Sequence, residues 1–144
     1  NFLAAYGCLR QVSFGLLDMA YYTQKDVFDK DIIQFEKKAW EKAIISKQLP
    51  NTCMTTQFSH IMSGGYAAGY YSYKWAEVLD ADAFSMFQKN GIFDKDTAQR
   101  FRDSILSKGG TEHPMILYTK FRGQKPTIDA LLTRNGINRQ TKES

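Results

Sequence analysis

The chain has 144 residues, of which 43% are apolar and 24% charged, with 19 basic against 15 acidic side chains and a net charge of +4. That is enough apolar matter for one sizeable core under an ordinary polar surface, so one domain is the starting expectation. No apolar run approaches the roughly 20 residues that span a bilayer, and the opening NFLAAYGCLRQ lacks a basic stretch before a cleavable apolar segment.

No membrane partner is therefore expected. The basic residues alternate with acidic ones instead of clustering, so no nucleic-acid partner is expected either. Cys8 and Cys53 are too few for a disulfide framework and form no C-x-x-C pair, so they read as reduced bystander thiols and suggest a cytoplasmic location. A chain that opens on Asn1 instead of methionine reads as a piece of something longer.

Taken in order, Leu9, Val12, Leu16 and Met19, with Phe2 and Ala5 ahead of them, draw one helical stripe as far as about Tyr22. A second helix is predicted after Asp29 as N-cap, with Ile32, Phe35, Ala39 and Ala43 on one face and Ile33, Trp40 and Ile44 alongside, ending before Pro50. Residues 46–58 show no period and read as a connecting loop. A third helix is predicted from about Gly65 to Phe87, with Gly91 ending that region.

Asp94 then caps a helix continued by Phe101 and Ile105, with Phe93 and Ala98 placed as a hydrophobic staple and Gly109-Gly110 as its stop. Thr111 caps a short helix holding Met115, Tyr118 and Phe121, stopped by Gly123. Pro126 opens a last one with Ile128, Leu131 and Leu132, stopped by Gly136. With no sustained alternation and no internal repeat, the expected fold is an all-α bundle, because short helices must pack through their stripes to persist.

The densest signal is SHIMSGGYAAGYYSYKW, Ser59 to Trp75. On a helix from Gly65, Tyr66, Tyr70 and Tyr73 fall at i, i+4 and i+7 and share one face. Tyr71, Trp75 and Val78 form a second, more apolar stripe. Gly64 and Gly65 ahead of them permit backbone forms closed to other residues, and Gly69 leaves room for a close approach.

Two readings of the tyrosine face are open. Phenols beside His60 could hold a peptide carbonyl or stabilise the oxyanion formed when it is attacked; equally, amphipathic rings could rim a helical core with their hydroxyls in water. His60 likewise reads as a catalyst or as a satisfied structural group. Elsewhere there is no H-E-x-x-H pair, no G-x-S-x-G elbow and no phosphate loop, and Glu112-His113 before Pro114 reads as a helix start.

The run Phe58 to Phe84 closely resembles the C-terminal part of the thimet oligopeptidase family of zinc metallopeptidases, above all its oligopeptidase A and peptidyl-dipeptidase branch. The similarity extends over LRQVSFGLLD (Leu9 to Asp18), GIF (Gly91 to Phe93), ILSKGGTEHPM (Ile105 to Met115), FRGQKP (Phe121 to Pro126) and DALLTRNGI (Asp129 to Ile137). Residues 1–137 thus resemble the C-terminal part of a largely helical catalytic domain, followed by a polar tail at 138–144.

The resemblance implies short peptides as substrates and one zinc ion in the full-length enzyme. It implies catalytic roles for His60 and Tyr73 at the oxygen of the attacked carbonyl, and substrate-binding roles for Tyr66, Tyr70, Gly64 and Gly65, the glycines lying in a flexible flap over the cleft. The family's zinc motif and glutamate base are absent here. No zinc is therefore expected on this chain alone, its partner is the missing N-terminal part of the same polypeptide, and it is expected to be inactive by itself. A free-standing helical peptide-binding or scaffolding module is the rival expectation.

Overall fold

The computed structural model of the chain describes residues 2–137. It is all-α, with no strand among the described residues. The chain divides into two compact units, Asn1–Trp75 and Ala76–Ser144. The expected tail at 138–144 lies outside the described residues.

In the first unit, α1 spans Ala4–Tyr22 and α2 spans Ile32–Trp40, followed by a 3₁₀ turn at Glu41–Ala43. The stripe expected on α1 is not the one that is buried. Val12, Leu16 and Met19 are each about 40% exposed, whereas Ser13, Phe14, Leu17 and Asp18 are buried. The reason is that two of the buried positions are polar and satisfied. The Ser13 hydroxyl donates to the Arg10 carbonyl at 2.7 Å, and Asp18 accepts backbone N–H groups from a distant loop. A polar side chain that finds its partners can occupy an interior face that a count of apolar residues assigns elsewhere.

The cap of α2 is Asp31, not Asp29: its carboxylate accepts the Gln34 N–H at 2.8 Å. The core of this unit joins Phe14, Leu17, Trp40, Phe58, Ile61 and Tyr70. Phe14 meets Phe58 with ring centroids 5.0 Å apart, and Tyr70 edge-on at 5.8 Å. Tilted and edge-to-face rings of this kind are the favoured arrangement for aromatic pairs.

Residues 46–58 are more ordered than a plain connecting loop. They contain a 3₁₀ turn at Thr55–Gln57 and are gathered around Glu36, whose side chain is fully buried. One carboxylate oxygen accepts from Gln48 Nε2 at 2.8 Å and the Met54 N–H at 3.0 Å. The other accepts from the Thr55 N–H at 2.7 Å, its hydroxyl at 2.6 Å and the Cys53 thiol at 3.5 Å. Cys53 is thus a donor in this network and not a bystander.

A short helix α3, Ser59–Met62, follows, and α4 begins only at Ser72 and runs to Asn90. The expected start at Gly65 is displaced by seven residues. Ala68 stands at φ 53, in the left-handed region, and the Ala68 and Tyr70 N–H groups are taken by Asp18 instead of by a preceding helical turn. The expected core stripe also changes: Val78 is buried, but Tyr71 and Trp75 are 60% and 42% exposed.

In the second unit, α5 spans Lys95–Phe101 and opens with the expected Asp94 cap, which accepts the Thr97 N–H at 2.8 Å. Phe93 is 94% exposed, so the staple with Ala98 does not form. The helix widens into a π turn at Arg102–Leu106. Next, α6 is Pro114–Arg122, with Pro at its first position. Its cap is His113, whose Nδ1 accepts the Met115 N–H at 3.2 Å, in place of Thr111. Gly123 closes α6 at φ 82, a conformation that costs glycine little. The last helix, α7, is Asp129–Arg134 and so starts three residues after Pro126.

Asp82 is the buried acid of this unit. It accepts from the Tyr118 hydroxyl at 2.6 Å and Arg122 Nε at 3.1 Å. Burial, and then the bond to Asp82, pushes the Tyr118 phenol well above its usual range, so it remains a donor.

Burial alone would raise the Glu36 carboxyl, but the bonds from Thr55, Met54 and Gln48 outweigh it and hold the group below its ordinary 4.5. Its folded pKa is therefore lower than its unfolded one, and the stabilisation it gives is complete above 4.5 and lost as pH falls through the lower folded value. Glu36→Gln, which turns an NH₂ toward existing donors, is expected to cost about 1–3 kcal/mol at neutral pH in denaturant unfolding. It should also flatten the decline in stability below pH 4.5. A variant as stable and as acid-sensitive as the parent would disprove the network's role.

Candidate functional site

The sequence Ser-His-Ile-Met makes a single turn of helix, and its end is a tight reversal. The N–H groups of Ser63 and Gly64 both reach the Ser59 carbonyl, at 2.9 and 2.7 Å, and the Tyr66 N–H reaches the His60 carbonyl at 3.1 Å. A Cβ at Gly64 would stand 2.9 Å from the His60 carbonyl oxygen, a backbone atom that cannot step aside. Gly64 is therefore required by the reversal. At Gly65 a Cβ would meet nothing within 4 Å.

His60 leaves this turn exposed at the surface, with Ile61 beneath it buried. The Tyr22 hydroxyl of α1 donates to the Ile61 carbonyl, tying the turn to the core. Downstream, the Gly69 N–H bonds the Tyr66 carbonyl at 2.9 Å and the Ser72 N–H bonds the Gly69 carbonyl at 3.1 Å. These successive turns deliver Tyr73 into the first turn of α4.

The structure brings His60, Tyr66, Tyr70 and Tyr73 together, although not as a helical face. Tyr66 and Tyr70 lie ahead of α4, and it is the turns that assemble the rings. Centroids of Tyr66 and Tyr73, and of Tyr70 and Tyr73, are 5.0 Å apart. His60 lies 5.8 Å from Tyr66, 6.0 Å from Tyr70 and 6.4 Å from Tyr73.

Exposure within the cluster is graded. Tyr70 is 7% exposed and rests on Phe58 at 5.0 Å, whereas Tyr66 and Tyr73 are 39% and 38% exposed. An open depression of about 290 Å³ lies against Ser59, His60, Ser63, Gly64 and Tyr66. A larger apolar cavity of about 440 Å³ in the second unit includes Asp80 and Tyr118 in its lining. Those two are already committed, Asp80 to Arg134 at 2.6 Å and Tyr118 to Asp82.

The hydrogen bond with Tyr66, helped by partial loss of hydration, pushes the Tyr73 phenol up to about 12. It therefore keeps its proton at neutral pH and can donate it to a developing negative oxygen. A row of donors next to an imidazole can bind and polarise a carbonyl. It does not by itself generate a nucleophile.

The described residues offer no ligand set for the zinc implied by the family resemblance. Among the described residues no group of three or more His, Cys, Asp or Glu side chains could hold a metal ion, and around His60 the neighbours are phenols, poor ligands when protonated. No reaction step is assigned to a metal here. Nor is any helix among the described residues long and apolar enough to cross a membrane.

Sequence reasoning missed Asp18 and Tyr22, which hold the site's backbone, and Glu36, which holds the segment leading into it. A signal was present for Asp18. In FGLLDMA the acid sits four residues after Phe14 and directly after Leu17, on the side of α1 that turns inward.

Comparison with known proteins gives this arrangement a setting. The model of Peptidase family M3 matches residues 1–137. Oligopeptidase A of Escherichia coli is 46% identical over 140 residues and that of Haemophilus influenzae 45% over 138, each match covering 95% of this chain. The dipeptidyl carboxypeptidase of Salmonella typhimurium is 33% identical over 140 residues, covering 96%. The chain spans about a fifth of the length of these relatives, 20% to 21%. A match that runs through α1, the glycine turns, the tyrosine cluster and α7 places the chain in peptidase family M3.

Proposed function

We propose that this chain is the substrate-binding and oxyanion-stabilising part of a zinc-dependent oligopeptidase or peptidyl-dipeptidase acting on short peptides. The observation that carries the reading is the convergence of the rings, with His60 5.8 to 6.4 Å from Tyr66, Tyr70 and Tyr73 and Tyr73 5.0 Å from Tyr66 and Tyr70, beside an open depression that His60 and Tyr66 line. The relatives named oligopeptidase A and dipeptidyl carboxypeptidase support the choice of peptide substrates.

In this reading a peptide lies over Gly64, Gly65 and Tyr66, with the ring of Tyr70 as a firm floor. Tyr73 and His60 donate to the oxygen of the carbonyl under attack. The Tyr73 phenol, pushed up to about 12, carries its proton to the incoming oxygen, and its ring, packed 5.0 Å from those of Tyr66 and Tyr70, is held in place before the charge develops. Preorganised donors contribute most when they need not reorient during the reaction. The zinc ion and the general base belong, in the same proposal, to residues outside this chain, and the compartment is cytoplasmic, in keeping with the free thiols of Cys8 and Cys53.

In the longer polypeptide that carries this segment, Tyr73→Phe is expected to lower kcat by roughly 10²–10³ with metal content unchanged, the usual loss for one oxyanion donor. An unaltered kcat would remove Tyr73 from that role. The 144-residue chain alone is expected to cleave no peptide above the buffer rate in a fluorogenic assay. Cleavage that a chelator abolishes would show that the chain holds a complete site and would overturn the division of labour proposed here.

A further inference from the structure

We propose that Asp18 is the positioning residue of the tyrosine cluster: its carboxylate latches the backbone at Ala68 and Tyr70 and so sets where Tyr66 and Tyr73 meet. The importance of the latch for catalysis rests on the peptidase reading, but its geometry does not.

Asp18 is fully buried on α1, directly after the core residue Leu17. Oδ1 accepts the Ala68 N–H at 2.9 Å and Oδ2 accepts the Tyr70 N–H at 2.9 Å. The partners lie 50 and 52 residues along the chain, so this contact is tertiary, not local. Ala68 is held at φ 53, a left-handed conformation that alanine adopts only when its surroundings impose it. Two charge-assisted bonds to neighbouring amides supply that imposition.

The latched residues sit midway between the rings in question. Gly69, between them, receives the Ser72 N–H and donates to the Tyr66 carbonyl, so one fixed tripeptide defines the turns on both sides. Tyr66 leaves from one turn and Tyr73 from the other, and their rings meet at 5.0 Å. Without the latch, only the turn closed by the Gly69 N–H on the Tyr66 carbonyl remains to hold Ala68 left-handed, and the two turns lose their common reference.

Nuclear magnetic resonance on the full chain tests this. In Asp18→Asn the helical far-UV signal and the Phe14 to Phe58 ring contacts, 5.0 Å in the parent, are expected to persist. Ring-to-ring cross-peaks between Tyr66 and Tyr73 should vanish, and the Ala68 and Tyr70 amides should exchange about 10- to 100-fold faster. A folded variant that keeps those cross-peaks and the amide protection overturns the proposal, since a merely structural acid would leave the cluster untouched. If the variant does not fold, exchange in the parent decides: protection at Ala68 and Tyr70 equal to that of the α1 core supports the latch, and open-chain exchange there overturns it. None of these readouts needs peptide hydrolysis, so their failure is separable from a failure of the Tyr73 test.

Discussion

A segment with neither helix nor sheet must find partners for its amide protons wherever it passes beneath the surface. In the first unit that need is met by carboxylates on helices. Glu36 of α2 collects the N–H groups of Met54 and Thr55, and Asp18 of α1 collects those of Ala68 and Tyr70. Each acid would be costly to bury alone. Each becomes a fixed post once several donors surround it, and the irregular chain between residues 46 and 71 is strung between the two. Everything attributed to the candidate site depends on that stringing, because Tyr66 and Tyr70 belong to this irregular chain, His60 to the single turn of α3 within it, and Tyr73 to the first turn of α4 directly after it.

The rings then divide their duties by depth. Tyr70 belongs to the aromatic core with Phe14 and Phe58, whereas Tyr66 and Tyr73 rise from it into the open and His60 stands beside them. A rigid floor under exposed phenol rings keeps their hydroxyls available without letting the surface collapse on itself. The second unit repeats the principle around Asp82, which takes bonds from Tyr118 and Arg122 and ties α6 to α4.

Much of this was legible in the chain. The extent of α1, the Asp94 cap, the closing turn at Gly123 and the gathering of tyrosines beside His60 all follow from residue types and spacing. What escaped was anything decided by a distant partner. Leu16 and Met19 look more interior than Ser13 and Asp18 until the bonds of the latter are known. A helix from Gly65 looks continuous until the Asp18 carboxylate claims amides 50 residues away. Asp29 and Thr111 are as good caps by composition as Asp31 and His113, and only the local path of the chain chooses between them. The tyrosines did converge, but by successive turns and not by helical periodicity, so the grouping was anticipated and its geometry was not.

The double membership of Tyr70 has a bearing on how this region evolves and how it can be dissected. A ring that is 7% exposed and shared between a hydrophobic interior and the proposed peptide surface would answer to two selective pressures at once. Loss of function on replacing it would conflate misfolding with lost recognition, so a mutational scan would rank it among the most intolerant positions without revealing which duty was violated. Its neighbours Tyr66 and Tyr73, 39% and 38% exposed, carry no such double burden, so a change at either leaves the interior whole and can be interpreted by itself.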